Sequence, residues 1–272
     1  MVPPPAPGRA VRAQLRTGIG VLIIALLVWS WLGMMEESLI NLTDAPRLMA
    51  DFLGRMFPPD LSWSLSQKRP FDPPLRIAGA MVAITLQISL LGTAGGMVGA
   101  LILGFLGAEN LTPHWVHHPI KIALALLRSI PVILLAMLFF VAVGLGALPG
   151  MLAISIHSIG MLGKLFAEAC EEVDPGVWEA MDSAGANWLQ KVRYAIWPQV
   201  SAQIFSLTLF RLDMNIRESA VLGFVGVAGL GLWIENYRRA IDYQSVATLV
   251  IVTMLLVLIV DQISFHIRRR LR

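Results

Sequence analysis

Charged side chains are scarce in this chain. Lys, Arg, Asp and Glu make up 14% of its 272 residues, against roughly 25% in ordinary soluble domains, while apolar residues reach 56%. That balance excludes a soluble enzyme. Cysteine is nearly absent as well: Cys170 alone permits no internal disulfide and supplies no metal-ligand cluster. No G-x-x-x-x-G-K-[ST] run occurs anywhere, so the sequence carries no phosphate cradle of that kind. Basic stripes interleaved with aromatics are missing too, which argues against a nucleic-acid partner. Much of the net charge of +3 sits in Arg268, Arg269, Arg270 and Arg272, which follow an apolar segment and read as a cytoplasmic anchor.

What the chain has instead is apolar length. Runs at about 17–34, 77–106, 120–145, 147–168, 199–222 and 246–266 each approach the ~20 residues that cross a bilayer as a helix, so the fold class expected is an all-α polytopic membrane protein with six transmembrane helices. Residues 1–16, with Pro3, Pro4, Pro5 and Pro7 among three arginines, read as a disordered cytoplasmic tail. Residues 17–34 form the first transmembrane helix, an uncleaved anchor because no small-x-small site follows it. Residues 35–76 form an external segment. Within it Asp44 can cap a helix whose Leu48, Met49, Phe52, Leu53, Met56 and Phe57 recur at three- and four-residue spacing, the pattern of an amphipathic helix lying on the membrane surface. Residues 77–272 form the core. Six crossings put both termini on one side, and the Lys and Arg bias makes that side cytoplasmic. The pairs Gly92/Gly96 and Gly95/Gly99 have small-xxx-small spacing, which lets helices approach closely either within one subunit or between two.

The polar stretch 169–198 between the fourth and fifth apolar runs reads as two short helices with a bend. Asp174 is a good cap before Pro175, Gly185 permits a tight turn, Asn187 can cap the second piece, and Pro198 opens the next crossing. Glu179-Ala180, with Gly185 six residues and Pro198 nineteen residues after the Glu, resembles the EAA loop of ABC importer permeases. In that family the loop is the coupling helix that seats on the ATPase subunit. The resemblance therefore implies that Asp174, Glu179, Ala180, Gly185 and Pro198 couple this chain to a separate ATPase. Met181, Ala195 and Trp197 stand where the family has Ala, Ile and Leu.

Four further stretches resemble the phosphonate importer permeases: Phe52 to Asp60, Thr85 to Thr93, Arg128-Ser129-Ile130-Pro131, and Asn215 to Gly223. One departure stands out, Ile84 where the family places Glu before the Thr-Leu-Gln run. The resemblance implies a bacterial inner-membrane importer subunit with no catalytic residue, metal or cofactor of its own. ATP and Mg would reside on the partner ATPase. Its partners would be two ATP-binding cassette subunits, an external substrate-binding protein, a second permease copy (an identical chain or a paralogue) and membrane lipid. Phosphonate, phosphate or phosphite would be the cargo.

Charges inside the fifth crossing need a reason, because a charged side chain at bilayer depth costs at least about 2.5–3.5 kcal/mol on insertion scales. Asp213 and Arg217 are i,i+4 neighbours and can pair, whereas Arg211, Asn215 and Glu218 share another face. Arg211 has no acid in the adjoining turns, so its partner is expected to be another helix, pore water or substrate. Arg211, Asn215, Arg217 and Glu218 are either a structural network or the lining of an anion path. His157 reads as a packing residue beside Ser155 and Ser158, and His114, His117 and His118 as a weak metal signal. The glycines at 223, 226, 229 and 231 suggest a flexible outer loop or a re-entrant turn. Two other readings remain open from sequence: an ABC permease for methionine or a sulfonate, and an ion-coupled secondary transporter.

Overall fold

A computed structural model describes residues 9–42, 44–63 and 71–271. They form two compact units, one ending at Arg55 and one beginning at Met56. The first unit holds α1 (Arg9–Leu42) and nearly all of α2 (Ala45–Met56). The tail expected over 1–16 lies outside the described residues up to position 8; from Arg9 the chain is already helical, since Ala10, Ala13 and Leu15 favour helix once the last proline is passed. The helix also continues beyond residue 34, to Leu42. The amphipathic segment folds as α2, with Leu48 N–H donating to the Asp44 carbonyl at 2.9 Å. Its stripe of Leu48, Met49, Phe52 and Leu53 is exposed.

The second unit is built on α3 (Pro74–Gly107) and α6 (Leu148–Glu171). The glycines of α3 face α6 of the same chain: a Cβ on Gly92 would stand 2.7 Å from Ile154 Cγ2, one on Gly96 2.5 Å from Ser158 Cβ, and one on Gly99 2.6 Å from Ile159 Cδ1. The small-xxx-small pairs therefore serve packing inside one subunit. Around this seam lie α4 (His114–Ser129), α5 (Val132–Val143), α9 (Trp197–Leu222), α10 (Leu230–Arg239) and α11 (Tyr243–Leu271). Between α6 and α9 come α7 (Pro175–Ser183), α8 (Trp188–Lys191) and one π turn, Val192–Ile196.

Four helices among the described residues are long and apolar enough to cross a membrane: Leu15–Gly33 of α1, α3, α6 and Tyr243–Arg270 of α11. The run expected to cross singly at 120–145 is two helices, α4 and α5, bent by 85°. Pro131 has no N–H to continue the ladder and holds Ile130 extended, at φ −83° and ψ 118°. Counting this pair as one span gives five. The remaining expected crossing, the fifth, is α9, which spans 26 residues but carries Arg211, Asp213, Arg217 and Glu218, so length and composition alone do not establish six.

The glycine run after α9 is a packed turn. Ala228 N–H donates to the Gly146 carbonyl at 3.0 Å, Leu230 N–H donates to Thr85 Oγ1 at 3.0 Å, and Gly223 meets the backbone of Gly231 where no Cβ would fit. Two apolar clusters take in this turn, one of Ile216 with Leu230 and Leu249 and one of Ile154 with Leu222 and Val227; a third, of Phe166 with Ile196 and Ile204, lies where α3 and α6 meet the loop before α9.

Candidate coupling loop and buried polar cluster

The loop expected to couple folds from its caps inward. Asp174 accepts from Gly176 N–H at 2.9 Å and Pro175 occupies the first turn of α7, where a missing N–H costs nothing. At the other end Ala186 N–H donates to the Met181 carbonyl and Gly185 N–H to that of Asp182, the crossed pair of a Schellman turn. Gly185 sits at φ 73°, a conformation open to glycine at little cost. Asn187 and Gln190 form a reciprocal capping box on α8.

Trp178 and Met181 turn inward against the Phe166 cluster. Lys191 lies 4.3 Å over the Trp178 ring and pairs with Asp182, while Trp188 Nε1 donates to the Leu111 carbonyl at 3.0 Å. The opposite side is open: Asp174, Val177, Glu179, Ala180 and Gly185 are all exposed. So are Leu189, at 67%, and Tyr194, at 64%. Pro198 stands apart from α7, in the first turn of α9 beyond the π turn.

The charges of α9 separate into two groups. Arg211, 2% exposed, donates to Glu218 Oε2 at 3.0 Å, approaches His157 Nδ1 at 2.6 Å and reaches Ser158 Oγ at 3.3 Å. A guanidinium only donates, so Nδ1 of His157 must be the acceptor. The expectation that no acid of its own helix could neutralise Arg211 fails: Glu218 lies seven residues on, back on the same face after two turns, and the two long side chains span the gap. Asn215 joins this group, donating to Thr93 Oγ1 at 2.7 Å and to Ser158 Oγ at 3.1 Å. Arg217 does not. It pairs with Asp213 as expected, and its side chain is half exposed on another face.

Thr93, His157 and Ser158 are therefore members of the cluster that spacing along α9 could not reveal, being contributed by α3 and α6. Their signal in the sequence was only that of polar residues inside apolar runs. Asp213 Oδ1 and Asn215 Oδ1 are buried without a hydrogen-bond partner. His114 stacks on His118, with centroids 4.9 Å apart, and meets His117 edge-on. Beside them Lys121 joins Glu109 at 2.7 Å and Glu171 at 2.9 Å. The hydrogen bond and charge of Lys121 hold the Glu109 carboxyl below the usual carboxylate range.

Residues 96–272 match the family described as "Binding-protein-dependent transport system inner membrane component". A phosphite transport system permease protein of Stutzerimonas stutzeri is 36% identical over 251 residues, 92% of this chain and 86% of that protein. A phosphate-import permease protein of Mycolicibacterium smegmatis is 36% identical over 229 residues, covering 84% of this chain and 41% of that longer protein. Among solved structures, an inward-facing methionine ABC transporter superposes with a TM-score of 0.65 at 20% identity, covering 73% of this chain and 97% of that one. At that identity the likeness is one of fold.

Proposed function

Because the chain belongs to the family of binding-protein-dependent transport system inner membrane components, we propose that it is the membrane-spanning permease subunit of an ATP-driven importer for a phosphorus oxyanion: phosphite, phosphate or a phosphonate. The reading is carried by α7. Its inner face is tied into the core by Trp178 and Met181, its two ends are capped, and its outer face, with Val177, Glu179 and Ala180, is left free. A capped helix whose outer residues stay exposed among the described residues is suited to seating on another protein. That other protein is the ATPase, which holds ATP and Mg. Residues 169–198 and both termini then lie in the cytoplasm of a bacterial cell, and residues 35–76 face outward. Two permease chains and two ATPase subunits make the complex, and an external binding protein delivers the anion.

The cluster around Arg211 gives the anion path its positive potential only insofar as Glu218 leaves it uncompensated. Its internal pairing favours a scaffold role for Arg211, Asn215 and Glu218, and Arg217 with Asp213 borders the outer surface of α9. The test is co-expression with a candidate ATPase and binding protein, followed by uptake of phosphite, phosphate and methylphosphonate in vesicles. ATP-dependent uptake of at least one, abolished without the ATPase, is the expected result. Co-purification with no ATPase, or uptake driven by an ion gradient alone, overturns the reading.

A further inference from the structure

If Arg211 is neutralised inside the protein, the cation that meets the anion must lie elsewhere. Arg128 is the penultimate residue of α4, two positions before the break at Ile130 and Pro131. Its backbone packs against Gly160, near the midpoint of α6: a Cβ on that glycine would stand 2.6 Å from the Arg128 nitrogen. Because α6 is long and apolar enough to cross a membrane, its midpoint sets Arg128 near mid-bilayer depth, about 21 Å along α4 from His114 at 1.5 Å per residue. Its side chain is exposed and makes no ion pair or hydrogen bond with any described residue. An arginine left bare at that depth is not tolerated facing hydrocarbon; such residues face water or the interior of an assembly.

The backbone points the same way. Between Ser129 and Val132 the helical ladder is broken, and irregular backbone within a bilayer persists only where it is buried in protein or lines water. From the break a cleft of about 180 Å³ runs between α4 and α6, lined by Lys121, Arg128, Lys164, Glu168 and Glu171. Lys164 and Glu168, both about half exposed and one turn apart on α6, pair along its wall at 3.3 Å. The exposed positions of α11 from Ile251 to Ile263 include Met254, Leu255, Leu258 and Ile259, the composition of a lipid-facing surface. The charged α4–α6 face is unlike it.

We infer that the α4–α6 cleft is the water-filled inner half of the translocation path and that Arg128, at its head, is the cation that contacts the passing oxyanion. The substrate part of this inference rests on the importer reading above; the wet face does not. Arg128 then hands the anion toward Lys164 and Lys121, whose paired glutamates keep either lysine from trapping it.

Two measurements on the assembled importer test this. In a Cys170→Ala background, Arg128→Cys should react with a water-soluble methanethiosulfonate at least several-fold faster than Leu258→Cys, and added phosphite should slow the reaction. Arg128→Gln should lower uptake of phosphite or phosphate per folded complex by about tenfold, the worth of one charge-assisted hydrogen bond, with Arg128→Lys retaining part of it. Binding-protein-stimulated ATP hydrolysis should stay intact in both. Labelling at 128 no faster than at 258 overturns the path. Fast labelling with normal uptake in Arg128→Gln overturns the role of Arg128. Fast labelling of Arg128→Cys, when the complex that retains Arg128 takes up none of the three anions, upholds the wet face and sinks the importer's substrate assignment instead.

Discussion

The polar cluster at the centre of α9 and the loop that precedes that helix treat their polar and apolar groups in opposite ways. In the cluster each charge meets a partner from its own chain: Arg211 finds Glu218, His157 and Ser158, and Asp213 finds Arg217. In the loop the inward groups are matched, but Val177, Glu179, Leu189 and Tyr194 face away from the chain. The contrast separates what the subunit needs in order to fold from what it needs a partner for. Damage to the first should remove the protein; damage to the second should leave it folded and idle.

The sharpest way to break this comparison is at Glu218. Glu218→Ala strands Arg211 as a buried, unpaired cation, a loss of about 3–5 kcal/mol, and folded complex should largely disappear from size-exclusion profiles. Arg211→Met combined with Glu218→Met should restore much of the yield, since replacing both partners removes the orphan charge. Good yield from Glu218→Ala would mean that Arg211 is held by water or by a second subunit. Next comes the seam between α3 and α6. Gly96→Val pushes a side chain into Ser158 and the Ser155 carbonyl, overpacking worth about 1–3 kcal/mol, and thermal unfolding should show a lowered midpoint.

The loop should behave otherwise. Gly185→Val forces a β-branched residue to φ 73°, a strain of order 1–3 kcal/mol confined to an exposed turn, and Glu179→Lys should change stability by no more than about 0.5 kcal/mol. Both should yield inserted, monodisperse protein whose ATPase association is weakened or whose ATP hydrolysis is uncoupled from uptake. If pull-down and uptake are unchanged in both variants, α7 is not the coupling element. If instead Glu179→Lys is lost from the membrane, the loop belongs with the folding core.

Local chemistry made much of this legible beforehand. Asp174, Gly185 and Asn187 announced the ends of α7 and α8 because caps and left-handed turns are decided within a few residues. The stripe from Leu48 to Leu53 announced α2 for the same reason. The Arg211 cluster was half legible: a helical wheel places Asn215 and Glu218 on its face, but a search confined to adjacent turns stops short of an i,i+7 pair. Thr93, His157 and Ser158 belong to other helices, and no periodicity in α9 encodes which neighbour it will have. The bend before α5 was written plainly as Ile130-Pro131, yet the apolar run across it reads as continuous, because hydropathy registers side chains and Pro131 acts through the backbone.

The glycine contact between α3 and α6 also has a mechanical meaning. Where two helices touch through long side chains, rotamers can take up small displacements; where the glycine backbone of one lies directly on the Cβ atoms and carbonyls of the other, as at Gly92 and Gly96, little between them can yield. The pair is therefore a stiff beam, and α6, about 36 Å long at 1.5 Å per residue, ends three residues before α7 begins. A force applied to α7 reaches the far end of this beam with little lost to compression. The compliant joints must lie around it, at the Pro131 bend and in the π turn that precedes α9.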